Sequence, residues 1–315
     1  MKTTVIYHSA DFDGIFCREI ARKFLGDQNV EYIGWDHGQP KINMEPGDGI
    51  YYILDLSPEC LGGDIYDSSR IIWIDHHKSS IEKWPATISG YRIDGVAACR
   101  LAWQWFMLAQ RKATGMITLL PGLARYTDRL VDEPLAVRLA GEYDIWDKRD
   151  PRAETFQFGL RARALDADDW AALLTSSEIN ADVDDLLDAG ALLQRYQQQQ
   201  DANLVNYRSF LVEFDGLKFL ALNTARCNSL TFAAKDVPET QHDALMGFFY
   251  NGNHWKFSLY HAKHRTDLDL SRIAVKWGGG GHRGACGFQT KDALFNLGGK
   301  PQLQLLSIPN YHGTI

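Results

Sequence analysis

Cysteine is scarce in this chain of 315 residues and carries no pairing pattern. Cys17, Cys60, Cys99, Cys227 and Cys286 are scattered, odd in number and without a CxxC pair. That excludes a disulfide framework and a thiolate zinc knuckle, and it fits reduced thiols in a cytoplasm. Long apolar runs are also missing. None approaches the ~20 residues that cross a bilayer, so neither a membrane span nor a membrane partner is expected. The opening stretch MKTTVIYHSADFDG lacks the basic segment and long apolar stretch of a signal peptide, which again points to a cytoplasmic protein. Positive charge is in deficit as well: 33 Lys and Arg face 40 Asp and Glu, a formal net charge of −7. A protein that grips long duplex DNA needs a cation for each phosphate it contacts, so that role is disfavoured. A small phosphate ligand, or a short strand held by a few cations and metals, remains compatible. Bound metal would also neutralise part of the acid excess.

What is present is ordinary globular material, 45% hydrophobic and 23% charged, enough for a sizeable core. The length suggests two domains. In the first half, short apolar runs alternate with helical patterns. Thr4–Tyr7, Val30–Ile33, Ile50–Leu54 and Arg70–Ile74 read as buried strands. A helix with Ile15, Phe16, Ile20, Ala21 and Phe24 on one face follows the first. Strands alternating with helices predict an α/β fold with a doubly wound, mainly parallel sheet. Helices are expected over 97–140 and again over 167–207, where Gln197–Gln200 reads as a solvated helix face or connector. Strands then return. Phe210–Phe214 leads through Asp215-Gly216, a hairpin signal, into Phe219–Leu222. Ala244–Tyr250 and Trp255–Tyr260 look like further strands, a helix is expected over Leu270–Trp277, and Leu303–Ile308 reads as an extra strand. The expected organisation is a first domain over 1–190, a helical linker over 191–208 and a smaller α/β domain over 209–315.

The chemistry-bearing residues fall at strand ends, where open α/β sheets bind ligands. His8-Ser9-Ala10-Asp11-Phe12-Asp13-Gly14 offers one imidazole and two carboxylates, and Asp11 and Asp13 can reach two different metal ions from one turn. Oxygen ligands with a few imidazoles suit Mn²⁺ or Mg²⁺ better than zinc. Asp55 follows the Ile50–Leu54 run, and Asp75-His76-His77 follows Ile71–Ile74. A fourth element, Glu142-Tyr143-Asp144-Ile145-Trp146-Asp147, sets Asp144 among large apolar groups. Five or more carboxylates and two or three histidines in one place would repel strongly without cations. Two divalent ions would neutralise about four charges and provide a site suited to in-line displacement at phosphorus.

Taken in order, these segments resemble the four acidic motifs of the DHH phosphoesterase family. That family includes RecJ-type exonucleases, nano-RNases, cyclic-dinucleotide phosphodiesterases and manganese-dependent pyrophosphatases. Ser271–Ala274 followed by Gly278–Phe288 resembles the family's smaller C-terminal domain, so the likeness covers nearly the whole chain. The resemblance implies an active site in the cleft between the two domains and two divalent ions, Mn²⁺ first, with Mg²⁺ or Co²⁺ as alternatives. It implies His8 and Asp11 on one ion, Asp13, His76 and Asp144 on the other, and Asp55 bridging them. His77 would face the substrate phosphate as donor or general acid, with Asp75 orienting a histidine. In the fourth motif Glu142 competes with Asp144 for the ligand position. Glycines let a backbone approach phosphate closely, so Gly279, Gly280 and Gly281, with His282 and Arg283, are the expected substrate-binding segment. Tyr260 reads equally as a base-stacking residue or a packed strand tyrosine. The activity implied first is hydrolysis of short single-stranded oligonucleotides to mononucleotides. The alternatives are a phosphatase or phosphodiesterase for a small nucleotide (3′-phosphoadenosine 5′-phosphate or a cyclic dinucleotide), and a non-catalytic nucleotide-binding regulator. A homodimer is compatible with each.

Overall fold

The computed structural model describes residues 2–62, 68–113, 126–128, 130–147, 149–233, 238, 241–292 and 304–307. Two compact units divide the chain, Met1–Gln194 and Arg195–Ile315.

The first unit runs β1 (Thr3–His8), α1 (Phe12–Leu25), β2 (Val30–Trp35), β3 (Ile42–Asn43), β4 (Ile50–Leu54), β5 (Leu61–Gly62), β6 (Ile71–Ile74), α2 (Lys78–Lys83), α3 (Ala98–Ala113), α4 (Leu135–Asp144), α5 (Arg152–Ala162), α6 (Ala167–Leu173) and the first half of α7 (Ala181–Arg208). Four strands form one sheet in the order β2-β1-β4-β6, and every pairing is parallel. Parallel strands are buried on both faces, and alternate residues therefore feed two cores. Val5, Tyr7, Leu54 and Ile74 pack with α1, α3 and α4 around Phe16, Trp103 and Phe156. Ile6, Ile53 and Trp73 face the other way, against Trp35, Leu56 and Ile88. This two-sided burial is why the strands read as unbroken apolar runs. The small β3–β5 pair is parallel and lies outside that sheet.

The second unit contains β7 (Phe210–Phe214), β8 (Leu217–Asn223), α8 (Ser229–Ala233), β9 (Ala244–Tyr250), β10 (Trp255–His261), α9 (Ser271–Lys276), β11 (Gly280–His282), β12 (Ala285–Thr290) and β13 (Gln304–Ser307). Its sheet has seven strands in the order β11-β12-β10-β9-β8-β7-β13. Only β8–β9 is parallel. Asp215 and Gly216 both have positive φ, 50° and 79°, as the tight β7–β8 hairpin requires. The core is aromatic, with Phe257 and Phe288 stacked at 4.9 Å between ring centres.

The α/β expectation holds, including the parallel first sheet. Residues 191–208, expected as a helical linker, are the later part of the single helix α7. Of the helical stretch expected over 97–140, α3 and α4 are observed, and residues 114–125 lie outside the described residues. Leu303 and Ile308 also lie outside them, while β13 between them pairs with β7 at the sheet edge. Among the described residues no helix is long and apolar enough to cross a membrane.

Candidate metal centre

The parallel register sets the site. Tyr7, Leu54 and Ile74 pair across β1, β4 and β6, so the next residue of each strand, His8, Asp55 and Asp75, falls in one row at the carboxyl edge. Asp55 lies in the left-handed region, φ 57°, which a non-glycine residue adopts at a cost. Its N–H donates to Ile74 O at 2.9 Å, tying the turn to β6, and its carboxylate is buried.

Helix α1 brings two more carboxylates. Asp11 is its N-cap, accepting from Gly14 N at 3.1 Å. Asp13, in the first turn, is buried and accepts from Ala98 N and Cys99 N at 2.8 Å each, joining α1 to the start of α3. Gly14 makes this approach feasible. A Cβ there would stand 1.9 Å from His8 O. Asp144, the last residue of α4, completes the group.

Asp55 stands between two imidazoles. His8 Nδ1 is 3.4 Å from one of its oxygens and His76 Nε2 is 3.4 Å from the other. His8 Nδ1 also meets Asp11 at 2.9 Å, and His76 Nε2 meets Asp144 at 3.3 Å and Asp13 at 3.7 Å. The donor atoms therefore converge in overlapping sets: His8, Asp11 and Asp55; Asp13, His76 and Asp144; and Asp55, His76 and His77. Asp75 is fully buried and belongs to none of these sets. Its Oδ1 lies 2.7 Å from His77 Nδ1 and accepts from the N–H of His76 and of His77 at 2.8 and 3.2 Å. The histidine it orients is therefore His77.

Electrostatics show what the cluster asks for. Hydrogen bonds to Asp11 and Asp55 push the His8 imidazole up to about 11. Burial opposes the charged form of His76, but Asp55, Asp13 and Asp144 outweigh it and bring it to about 10. Burial, with Asp55 and Asp144 nearby, raises Asp13 well above the ordinary carboxylate range, and burial lifts Asp144 to about 6. Asp55 goes the other way. Burial opposes its ionisation, yet the His76 and His8 imidazoles beside it hold it low. Excess negative charge in a closed space is thus balanced by imidazolium and by protons retained on carboxyls.

The donor chemistry fits a pair of hard divalent cations. The sets contain oxygen and imidazole nitrogen and no sulfur. Cys17 and Cys99 are buried nearby, and burial pushes both thiols far up, so they offer no thiolate. Asp55 Oδ1 is buried and no group makes a well-formed hydrogen bond to it among the described residues, an arrangement a cation would complete.

In the fourth motif the two acidic residues have different surroundings. Asp144 points to His76, whereas Glu142 is buried and accepts from Asp150 N at 2.8 Å. One neighbour went unseen in the sequence. Asp36, just past the end of β2, lies 3.4 Å from His8 Nε2, on the opposite side of the ring from Asp55. The signal was weak, because the Val30–Ile33 run stops short of the strand's true end at Trp35.

The glycine segment is in the second unit and is ordered differently from the expected anion-binding loop. Gly280–His282 form β11 on β12. A Cβ on Gly279 would come 2.1 Å from Gly287 O, and one on Gly281 2.7 Å from Cys286 Cα. These glycines therefore permit close strand contact. His282 is exposed, and the exposed Arg283 guanidinium donates to Asp267 O at 3.0 Å. Tyr260 is a half-buried strand residue whose hydroxyl donates to Cys227 O at 2.8 Å, so its packed reading holds.

With the geometry in hand, the fold can be compared with solved structures. The DHH domain of a member of a family of ribosomal proteins matches over 91% of this chain and 82% of its own, with TM-score 0.51 and 13% identity. The chain has a DHH-domain fold. Two other structures match this DHH fold less closely. The pGpG-specific phosphodiesterase PggH from Vibrio cholerae is 14% identical, with TM-score 0.49 over 92% of this chain and 94% of its own. A manganese-bound exonuclease RecJ is 15% identical, with TM-score 0.47 over 93% and 86%. At these identities the likeness is one of fold. No family model matches the chain, and no curated protein matches it by sequence.

Proposed function

We propose that this chain is a two-metal phosphoesterase, Mn²⁺-loaded, that hydrolyses short single-stranded oligonucleotides to mononucleotides. The observation that carries the reading is the position of Asp55, 3.4 Å from His8 on one side and 3.4 Å from His76 on the other, with a separate carboxylate set beyond each imidazole. His8, Asp11 and Asp55 would hold one ion, and Asp13, His76, Asp144 and Asp55 the other. Divalent ions there supply Lewis-acid polarisation of a phosphoryl oxygen and make water a nucleophile at neutral pH.

The remaining roles belong to side chains of this chain. Asp75 holds His77 by Nδ1, and that contact, the main cause, raises the basicity of the ring. His77 is half exposed, so Nε2 can deliver a proton to the departing alkoxide. The exposed His282 and Arg283, with Gly279–Gly281, are the proposed second contact for substrate phosphate. The net charge of −7 favours short strands over long duplexes. Five free cysteines, four of them buried, fit a cytoplasmic setting.

The test is a substrate panel with Mn²⁺-loaded protein, resolving products from 5′- and 3′-labelled di- to pentanucleotides. Stepwise release of mononucleotides supports the reading. Intact oligonucleotides alongside ready cleavage of 3′-phosphoadenosine 5′-phosphate or a cyclic dinucleotide would move the activity to a small nucleotide. Binding without cleavage of any of them would make the protein a regulator.

A further inference from the structure

Helix α4 ends unusually. Two residues beyond Asp144, Trp146 takes the left-handed conformation, φ 55°. Its N–H donates to Tyr143 O at 3.1 Å, and Asp147 N donates to Glu142 O at 2.9 Å, which closes the helix in the manner normally built on glycine. A large β-carbon-bearing side chain is costly at such a position. Burial gives little return for it, since Trp146 is 45% exposed. Its ring meets Tyr143 at 5.6 Å and 32°, and the Arg161 guanidinium lies over the Tyr143 ring, 5.6 Å from its centre.

The two aromatics and Pro151 line a pocket of about 250 Å³ together with the acidic residues Glu142, Asp150 and Glu154. Each carboxylate is held in place. Glu142 accepts from Asp150 N, Asp150 from the Arg152 side chain at 2.7 Å, and Glu154 from Gln194 at 3.0 Å. Carboxylate oxygens accept hydrogen bonds, so the pocket suits a flat ring with N–H donors at its edge better than a phosphate. Aromatic faces stack on any base, and a carboxylate matches side-by-side N–H groups such as those of guanine.

We propose that the Tyr143–Trp146 pocket is a nucleobase subsite, with guanine the best-matched base. The placement of the attached phosphate rests on the proposed function: Trp146 is two residues, at most ~7 Å of chain, from the candidate ligand Asp144. A nucleotide whose phosphate lies at the metal cluster would then set its own base against Trp146.

The experiment measures calorimetric binding of guanosine 5′-monophosphate and of ribose 5-phosphate to the Mg²⁺-loaded full chain. It compares the parent, Trp146→Ala and Trp146→Phe, each with a melting curve to establish folding. The affinity ratio of nucleotide to sugar phosphate is expected to fall about tenfold in Trp146→Ala and to recover in Trp146→Phe. A parent that shows no preference for the nucleotide overturns the proposal. So does a ratio unmoved by Trp146→Ala, or one that Phe fails to restore. Binding through Trp146 without cleavage of any phosphodiester leaves the subsite standing and overturns the catalytic reading alone.

Discussion

On the proposed metal loading, the metal-free protein should lose stability as pH rises, and adding divalent ions should weaken that trend. In the metal-free state the charge balance rests on His8 and His76, raised to about 11 and about 10. An unfolded histidine titrates near ~6.5. Both groups are raised on folding, so their contribution is fully present below ~6.5 and is lost as pH climbs through the folded values. Each contributes up to ~1.4 kcal/mol per pH unit in that window. Partial solvent access and sharing of the same carboxylates reduce the total to roughly 3 kcal/mol between pH 6.5 and 9. For a unit of this size that is about 6–10 °C in melting temperature. Bound cations replace the imidazolium charge and require neutral ligand nitrogens, so the Mg²⁺-loaded protein should lose much less over the same range. The same account requires at least two protons to leave on full loading at pH 7, from His8 and His76, read from calorimetry in buffers of different ionisation enthalpy. Scanning calorimetry with EDTA or excess Mg²⁺ at both pH values is the assay. A metal-free melting temperature that is flat or rises with pH, or loading that releases no proton, would refute the reasoning.

Three mutations follow from the same geometry. Asp75→Asn weakens the hold on His77 without touching the donor sets, so metal stoichiometry by mass spectrometry should stay at the parent value while kcat falls ~100-fold or more; loss of an ion instead would make Asp75 a ligand. Gly14→Ala drives a methyl into His8 O, 1.9 Å from the ideal Cβ position, and should cost ~3 kcal/mol or more in denaturant unfolding and weaken metal binding with it; parent-like stability would show that α1 can withdraw from β1. Asp36→Asn removes the carboxylate 3.4 Å from His8 Nε2 and should weaken Mn²⁺ affinity about tenfold with the total number of ions unchanged; equal affinity would make Asp36 a bystander.

Much of the centre was legible because buried parallel strands are apolar to their last residue. The first polar group after each run, His8, Asp55 or Asp75, therefore marks the edge where ligands bind. Asp13 shows what stays hidden. Its spacing marked it as a candidate ligand, but its hydrogen bonds to Ala98 and Cys99 join residues about 85 positions apart, and no local pattern records that. Which of Glu142 and Asp144 lies beside His76 depends on the helix phase and on the partner across the site. The strand formed by the glycine run was hidden for a similar reason. Glycines open a loop or allow a strand to approach its neighbour, and which applies depends on β12, supplied by later residues. Trp146 carried no sequence signal, because a left-handed helix end is normally announced by glycine.

The row of His8, Asp55 and Asp75 is pinned by the hydrogen-bond ladder of β1, β4 and β6. Adjacent strands stand ~4.8 Å apart whatever side chains they carry. The gauge of the centre is thus a property of the peptide backbone. Exchanges deep in either core that keep the ladder leave the donor spacing as it was, whereas a slip of one residue in a single strand dismantles the centre while preserving the composition of every element. Sequence drift is cheap here and misregistration is not.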